Sequence, residues 1–234
     1  MTPDAHAARD VLARGEVRVK GRLPWSSNAT FLAEVTFEGT TALAVYKPER
    51  GERPLWDFPS GLFRREIAAY HLSEALGWGL VPLTLRRDGP YGEGSLQAFV
   101  DADFEQHYFT LREDTAHHDR LQRICAFDLV ANNADRKGGH CLLAGDTIYA
   151  IDNGLCFHVE PKLRTVIWDF AGQPIPEEVR ADLRRLVAGG LATAISELLE
   201  PNEGAALLKR AKAVAAAECF PSDRSGHRYP WPLV

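Results

Sequence analysis

The sequence predicts an α+β protein of two lobes. The first is β-rich with one helix. The second is helical and holds a small β-hairpin. Three observations predict this. Short apolar, β-branched runs fill the first hundred residues, with a single helical spacing among them. Helical spacings fill the chain after Asp114, interrupted by two short strands. Regular strand–helix–strand alternation is absent, which argues against a doubly wound parallel sheet. A chain of 234 residues fits one large domain or two closely packed lobes. The boundary falls near Asp101–Phe104, giving lobes of 1–100 and 101–234.

The elements follow in order. Val17–Lys20 alternates as a short strand. Phe31–Phe37 and Thr41–Tyr46 flank Glu38-Gly39-Thr40, a hairpin signal. Pro48–Gly61 is a Gly/Pro/Trp-rich loop. Leu62–Leu76 carries Phe63, Ile67, Tyr70 and Ala75 at helical spacing and stops at Gly77, a helix with a glycine cap. Pro82–Arg87 and Ser95–Val100 read as strands flanking Asp88-Gly89. Asp114 or Thr115 caps a helix running to about Ala131. Cys141–Leu143 and Thr147–Ile151 form a hairpin around Gly145-Asp146. Glu177–Val187, Ala192–Leu199 and Glu203–Ala217 read as helices. His227–Val234 is Pro- and aromatic-rich, and either packs back on the body or offers a partner site.

Composition narrows the function classes. Hydrophobic residues make up 45% and charged residues 25%, a globular balance. The net charge of −5 argues against a general nucleic-acid-coating role, which needs a basic field. Cys125, Cys141, Cys156 and Cys219 contain no CxxC pair, so reduced thiols are expected rather than a zinc knuckle. No apolar run has the length of a membrane span, and Met1–Arg14 lacks the apolar core of a signal peptide. A cytoplasmic protein without stable membrane insertion is expected.

Three features carry chemistry. Lys47 follows the apolar run Val45-Tyr46 and either neutralises phosphate charge in a cleft or is a solvated strand-end lysine. Glu66, on the helix that follows, either pairs with Lys47 or is an ordinary surface acid. The most specific feature is Asn132-Asn133-Ala134-Asp135-Arg136-Lys137-Gly138-Gly139-His140, then the hairpin, then Ile151-Asp152-Asn153-Gly154. Two acidic loops at the ends of one hairpin place Asp135 and Asp152 on the same side of one lobe. One carboxylate there suits orienting or deprotonating a hydroxyl, the other a divalent metal on a triphosphate. Two turn aspartates are the alternative, which accounts for Asp152 alone.

This order of residues resembles the protein-kinase-like fold. Within it, the chain is most similar to the phosphatidylinositol 3-/4-kinase and HipA-type kinase branch, and the whole chain looks like a small actinobacterial family grouped by name with those lipid kinases. Lipid kinases carry Asp-Arg-His-x-x-Asn where this chain has Asp135 to His140. Asp152-Asn153-Gly154 stands in the place of Asp-Phe-Gly and matches the form seen in secretory-pathway (Golgi casein-type) kinases.

The resemblance implies the following roles. Lys47 contacts the α/β-phosphates and Glu66 pairs with it. Asp135 orients the acceptor or acts as base, and Asp152 binds metal. Gln97 to Asp101, with Phe99 and Val100, is the hinge whose backbone meets adenine. Gly21–Thr30, with Ser26, Ser27 and Asn28, covers the phosphates without a GxGxxG pattern. Lys137 replaces the family histidine and offers a second cation to the transferring group. His140 replaces an asparagine metal ligand. An imidazole there favours Mn²⁺ over Mg²⁺, unless His140 is structural.

The reading that results is an ATP-dependent phosphotransferase using Mg²⁺ or Mn²⁺, with a protein or small-molecule hydroxyl favoured over a lipid as acceptor. Two alternatives stand beside it: a nucleotide-binding pseudokinase acting as scaffold or sensor, and an AMP-transferring enzyme.

Overall fold

The computed structural model describes residues 3–24, 26, 28–223 and 225–234. The chain adopts the expected α+β fold, with a five-stranded antiparallel sheet in its first part and a helical second part holding a two-stranded hairpin. By contacts it forms two compact units. One comprises residues 1–67 and 82–100, the other 68–81 and 101–234.

In the first unit, strands β1 (Glu16–Arg22), β2 (Phe31–Phe37), β3 (Thr40–Pro48), β4 (Thr84–Gly89) and β5 (Gly92–Ala98) lie in the order β1-β2-β3-β5-β4. Side chains alternate across a strand, so one face of the sheet collects Ala33, Val35, Ala44, Tyr46 and Leu96. Helix α1 (Pro3–Arg14) covers that face with Val11 and Leu12. Lys47 follows the fully buried Tyr46 and therefore projects from the opposite face. The register pairs Tyr46 with Leu96 and Lys47 with Ser95.

Helix α2 (Leu62–Leu76) ends where its glycine predicts, with Gly77 at φ +72° donating to Glu74 O. Its first turn is capped from the preceding loop. Glu52 accepts from the N–H groups of Gly61 and Phe63, both at 2.8 Å, meeting donors that a helix start otherwise leaves open.

Three local differences from the sequence reading stand out. Strands β4 and β5 continue through the expected turn, since Asp88 pairs with Glu93 and Gly89 with Gly92. The loop is then Pro90-Tyr91, where proline presets the turn φ. The expected helix over Ala192–Leu199 is one turn, α6 (Thr193–Ser196), and Glu200, extended before Pro201, separates it from the next helix. Helix α1 has only Val11 and Leu12 as large apolar residues to announce it.

The second unit is built on α4 (His118–Ala131), α5 (Glu177–Gly189) and α7 (Pro201–Ala216), with short α3 (Tyr108–Leu111) before them. Helix α4 buries Leu121, Ile124, Phe127 and Val130. The hairpin is β6 (Cys141–Ala144) and β7 (Thr147–Ala150). Arg120 of α4 fastens it. Its guanidinium donates to Ile148 O at 2.8 Å and to Trp78 O and Gly79 O at 2.6 Å each. No helix among the described residues is long and apolar enough to cross a membrane.

Candidate active site

In the first unit, Lys47 Nζ is ion-paired with Glu66. Glu66 is 4% exposed and Lys47 21%, so a buried carboxylate holds a partly exposed lysine. The polar loop before β2 is braced by hydrogen bonds within it and to Arg53. Ser26 Oγ lies 2.7 Å from Thr30 Oγ1, and Asn28 Oδ1 accepts from Arg53 N at 2.9 Å. Ser27 falls outside the described residues. Gln97 is a buried strand residue whose amide donates to Thr84 Oγ1 at 2.8 Å. Phe99 N–H donates to Leu43 O, and Phe99 and Val100 are half-buried.

In the second unit, the chain leaving α4 turns through Asn132 in the left-handed region at φ +56°. Its side chain takes three backbone groups, donating to His158 O and Glu160 O and accepting from Lys162 N. Asn133 Oδ1 accepts from Asp135 N at 2.9 Å, a local turn that presents Asp135. The loop is then laced to a neighbouring extended segment. Arg164 N donates to Asn133 O, Arg136 N to Arg164 O, and Val166 N to Arg136 O.

Asp135 Oδ2 lies 3.4 Å from Lys137 Nζ. Burial pushes the Asp135 carboxyl above the usual range. Lys137 pulls it back, and the charge of Asp152 adds to the rise. Asp152 lies at the far end of the hairpin, half exposed and at φ +57°. His140 Nε2 is 3.4 Å from Asp152 Oδ2. The structure thus joins Asp135 to Lys137 and Asp152 to His140, and Lys47 to Glu66.

Sequence reasoning missed the centre of this unit. Arg136 and Asp128 are fully buried and form an ion pair. Arg136 Nε donates to both Asp128 oxygens at 3.1 Å, and Nη2 donates to Oδ1 at 2.9 Å. Asn133 and Thr165 add hydrogen bonds to the same carboxylate at 3.1 and 3.2 Å. Burial pushes the Asp128 carboxyl up and the guanidinium charge opposes it. A signal was present: Asp128 falls on the stripe Leu121, Ile124, Cys125, where an acid requires a partner.

No disulfide joins the four cysteines, and burial pushes the Cys141 thiol up to about 12, which keeps it inert. The 227–234 segment packs back on the Asp135 loop. Arg228 O accepts from Thr165 N, and Leu233 O from Gly138 N at 2.7 Å.

No protein-family model matches the chain. Protein Rv2133c of Mycobacterium tuberculosis is 42% identical, over 98% of this chain and 95% of that protein. The chain belongs to the Rv2133c family. The fold of this Rv2133c-family chain is that of known kinases. It is similar to the Golgi casein kinase with Mn/ADP bound, with a TM-score of 0.57 and 14% identity over 100% of this chain and 81% of that one. It is also similar to the Helicobacter pylori proinflammatory kinase CtkA, with a TM-score of 0.50 and 13% identity over 88% and 93%. At such identities the likeness establishes the protein-kinase-like fold alone.

Proposed function

We propose that the protein is an ATP-dependent phosphotransferase that moves the γ-phosphate to a hydroxyl of a protein or small molecule. The observation that carries this reading is the pair of carboxylates at the two ends of β6–β7. One is partly buried beside a lysine, the other half exposed beside an imidazole. The kinase-like fold supports it, and the Golgi casein kinase of that fold was crystallised with Mn/ADP.

Each residue has a role that its surroundings suit. Lys47 supplies a point charge to the α/β-phosphates, and the buried Glu66 fixes its direction. Asp135, raised by burial, accepts the proton of the acceptor hydroxyl as it attacks. Lys137 stabilises charge on the transferring group. Ala98 and Phe99 N–H groups already donate to Leu83 and Leu43, so adenine would meet carbonyls or Val100 there.

The donor set fits a divalent ion shared with phosphates. Asp152 offers carboxylate oxygen, and no cluster of three or more His, Cys, Asp or Glu suited to a metal occurs among the described residues. Phosphate and water must therefore complete the shell, as Mg²⁺ usually requires. Lys137 N donates to His140 Nδ1 at 3.3 Å, which leaves the ring proton on Nε2, facing Asp152. His140 joins the donor set only by shifting that proton, whereas Asp152 needs no change. When bound, the metal neutralises phosphate charge.

Calorimetric titration with ADP and Mn²⁺ or Mg²⁺ tests this reading. Lys47→Ala and Asp152→Asn are expected to weaken binding at least about tenfold. Asp135→Asn is expected to keep binding and lose turnover. Wild-type turnover in both aspartate variants would refute the assignment.

A further inference from the structure

Arg136 follows the candidate base in the chain, yet its side chain turns away from it into the interior, with none of its surface exposed. Two of its nitrogens are held by Asp128. The remaining bonds reach the other acidic loop. Nη1 donates to Ile151 O at 2.7 Å and Nη2 to Asn153 Oδ1 at 2.7 Å. Those are the residues on either side of Asp152.

Asp152 needs such support. Its φ of +57° is in the left-handed region, which strains a non-glycine residue and persists when the surroundings enforce it. Both neighbours are anchored twice. Ile151 N donates to His140 O while Ile151 O receives Arg136. Asn153 Nδ2 donates to Ala150 O at 3.1 Å while Asn153 Oδ1 receives Arg136. The Arg136 backbone is itself paired with Arg164 and Val166, fixing the loop that presents Asp135.

We propose that Arg136 is a positioning residue that sets the left-handed conformation of Asp152 and so couples the metal loop to the Asp135 loop. A planar guanidinium presents donors in several fixed directions at once. It therefore spans Asp128, Ile151 and Asn153 together. A lysine ammonium keeps the charge beside Asp128 but donates from one atom and cannot span the three. The role in metal binding rests on the phosphotransferase reading; the clamp on the loop does not.

The test uses Arg136→Lys and Asn153→Ala with two readouts. The first is amide hydrogen exchange of the nucleotide-free protein. Both variants are expected to speed exchange over residues 150–155 and leave α5 and α7 unchanged. The second is ADP affinity with Mn²⁺ and with chelator. Metal-dependent affinity is expected to fall about 10–100-fold in Arg136→Lys, the usual effect of losing a group that orients a ligand, with the chelator value unchanged. Unchanged exchange over 150–155 overturns the clamp. Faster exchange with wild-type metal-dependent affinity overturns its role toward metal. Should Arg136→Lys fail to fold, Asn153→Ala decides by the same criteria. Loosened exchange in a protein whose wild type shows no metal-dependent ADP binding upholds the clamp and refutes the phosphotransferase reading instead.

Discussion

Asp128→Ala tests the buried ion pair on which the acidic loops depend. The substitution removes a carboxylate that accepts three hydrogen bonds from Arg136, one from Asn133 and one from Thr165. It leaves the Arg136 cation with 0% exposure and no counter-charge. Breaking a buried pair by removing one partner costs about 3–5 kcal/mol. For a chain of this size, each kcal/mol moves the melting midpoint by about 2–4 °C, so a fall of roughly 6–20 °C is expected. Differential scanning calorimetry measures it, with urea unfolding as the check. The companion Asp128→Leu/Arg136→Met replaces both partners by apolar groups and is expected to recover most of the loss. A single-variant loss below about 1 kcal/mol, or a double variant no better than the single one, would refute the reasoning.

Three further outcomes follow from the same site. Asp135 has a raised folded-state pKa from burial, so its contribution to stability is full below the unfolded value, about 3.9, and is lost as pH rises through the folded one. Asp135→Asn is therefore expected to stabilise the protein at pH 7, the gain vanishing below about pH 4; urea midpoints across pH measure it, and equal midpoints at pH 7 contradict it. His140→Asn is expected to abolish any preference for Mn²⁺ over Mg²⁺, read from metal titrations of ADP binding, because it exchanges an imidazole donor for oxygen. A Cβ at Gly138 would lie 3.1 Å from the Phe109 ring and 3.3 Å from Leu233 O, whereas one at Gly139 meets only Val234 at 3.8 Å. Gly138→Ala is then expected to crowd Phe109 and Leu233 and free the 227–234 segment to protease, while Gly139→Ala leaves its digestion unchanged.

Much of the frame was legible because local chemistry and tertiary context agree. Leu62–Leu76 ends at its glycine, and β6–β7 forms around Gly145-Asp146. Lys47 and Glu66, expected as a pair, are one. What sequence reading lost depends on long-range partners. Arg136 sits in a polar loop where nothing local marks it as buried; its counter-charge, Asp128, lies eight residues earlier on α4. Asn153 reads as a turn residue until the same guanidinium reaches it. Among the described side chains of helix α1, the adjacent Val11 and Leu12 pack on the sheet, and two neighbouring positions set no period. The packing back of 227–234 is one of two alternatives that its composition offers; its partner Gly138 was not legible, because a backbone bond leaves no mark in side-chain pattern.

Phosphorus NMR of ATP incubated with the protein and Mn²⁺ or Mg²⁺ tests the central claim most directly, because it identifies the product without a known acceptor. The account predicts metal-dependent formation of ADP, lost in both Asp135→Asn and Asp152→Asn. AMP with pyrophosphate, or ATP left intact by a protein that binds it, would contradict transfer of the γ-phosphate.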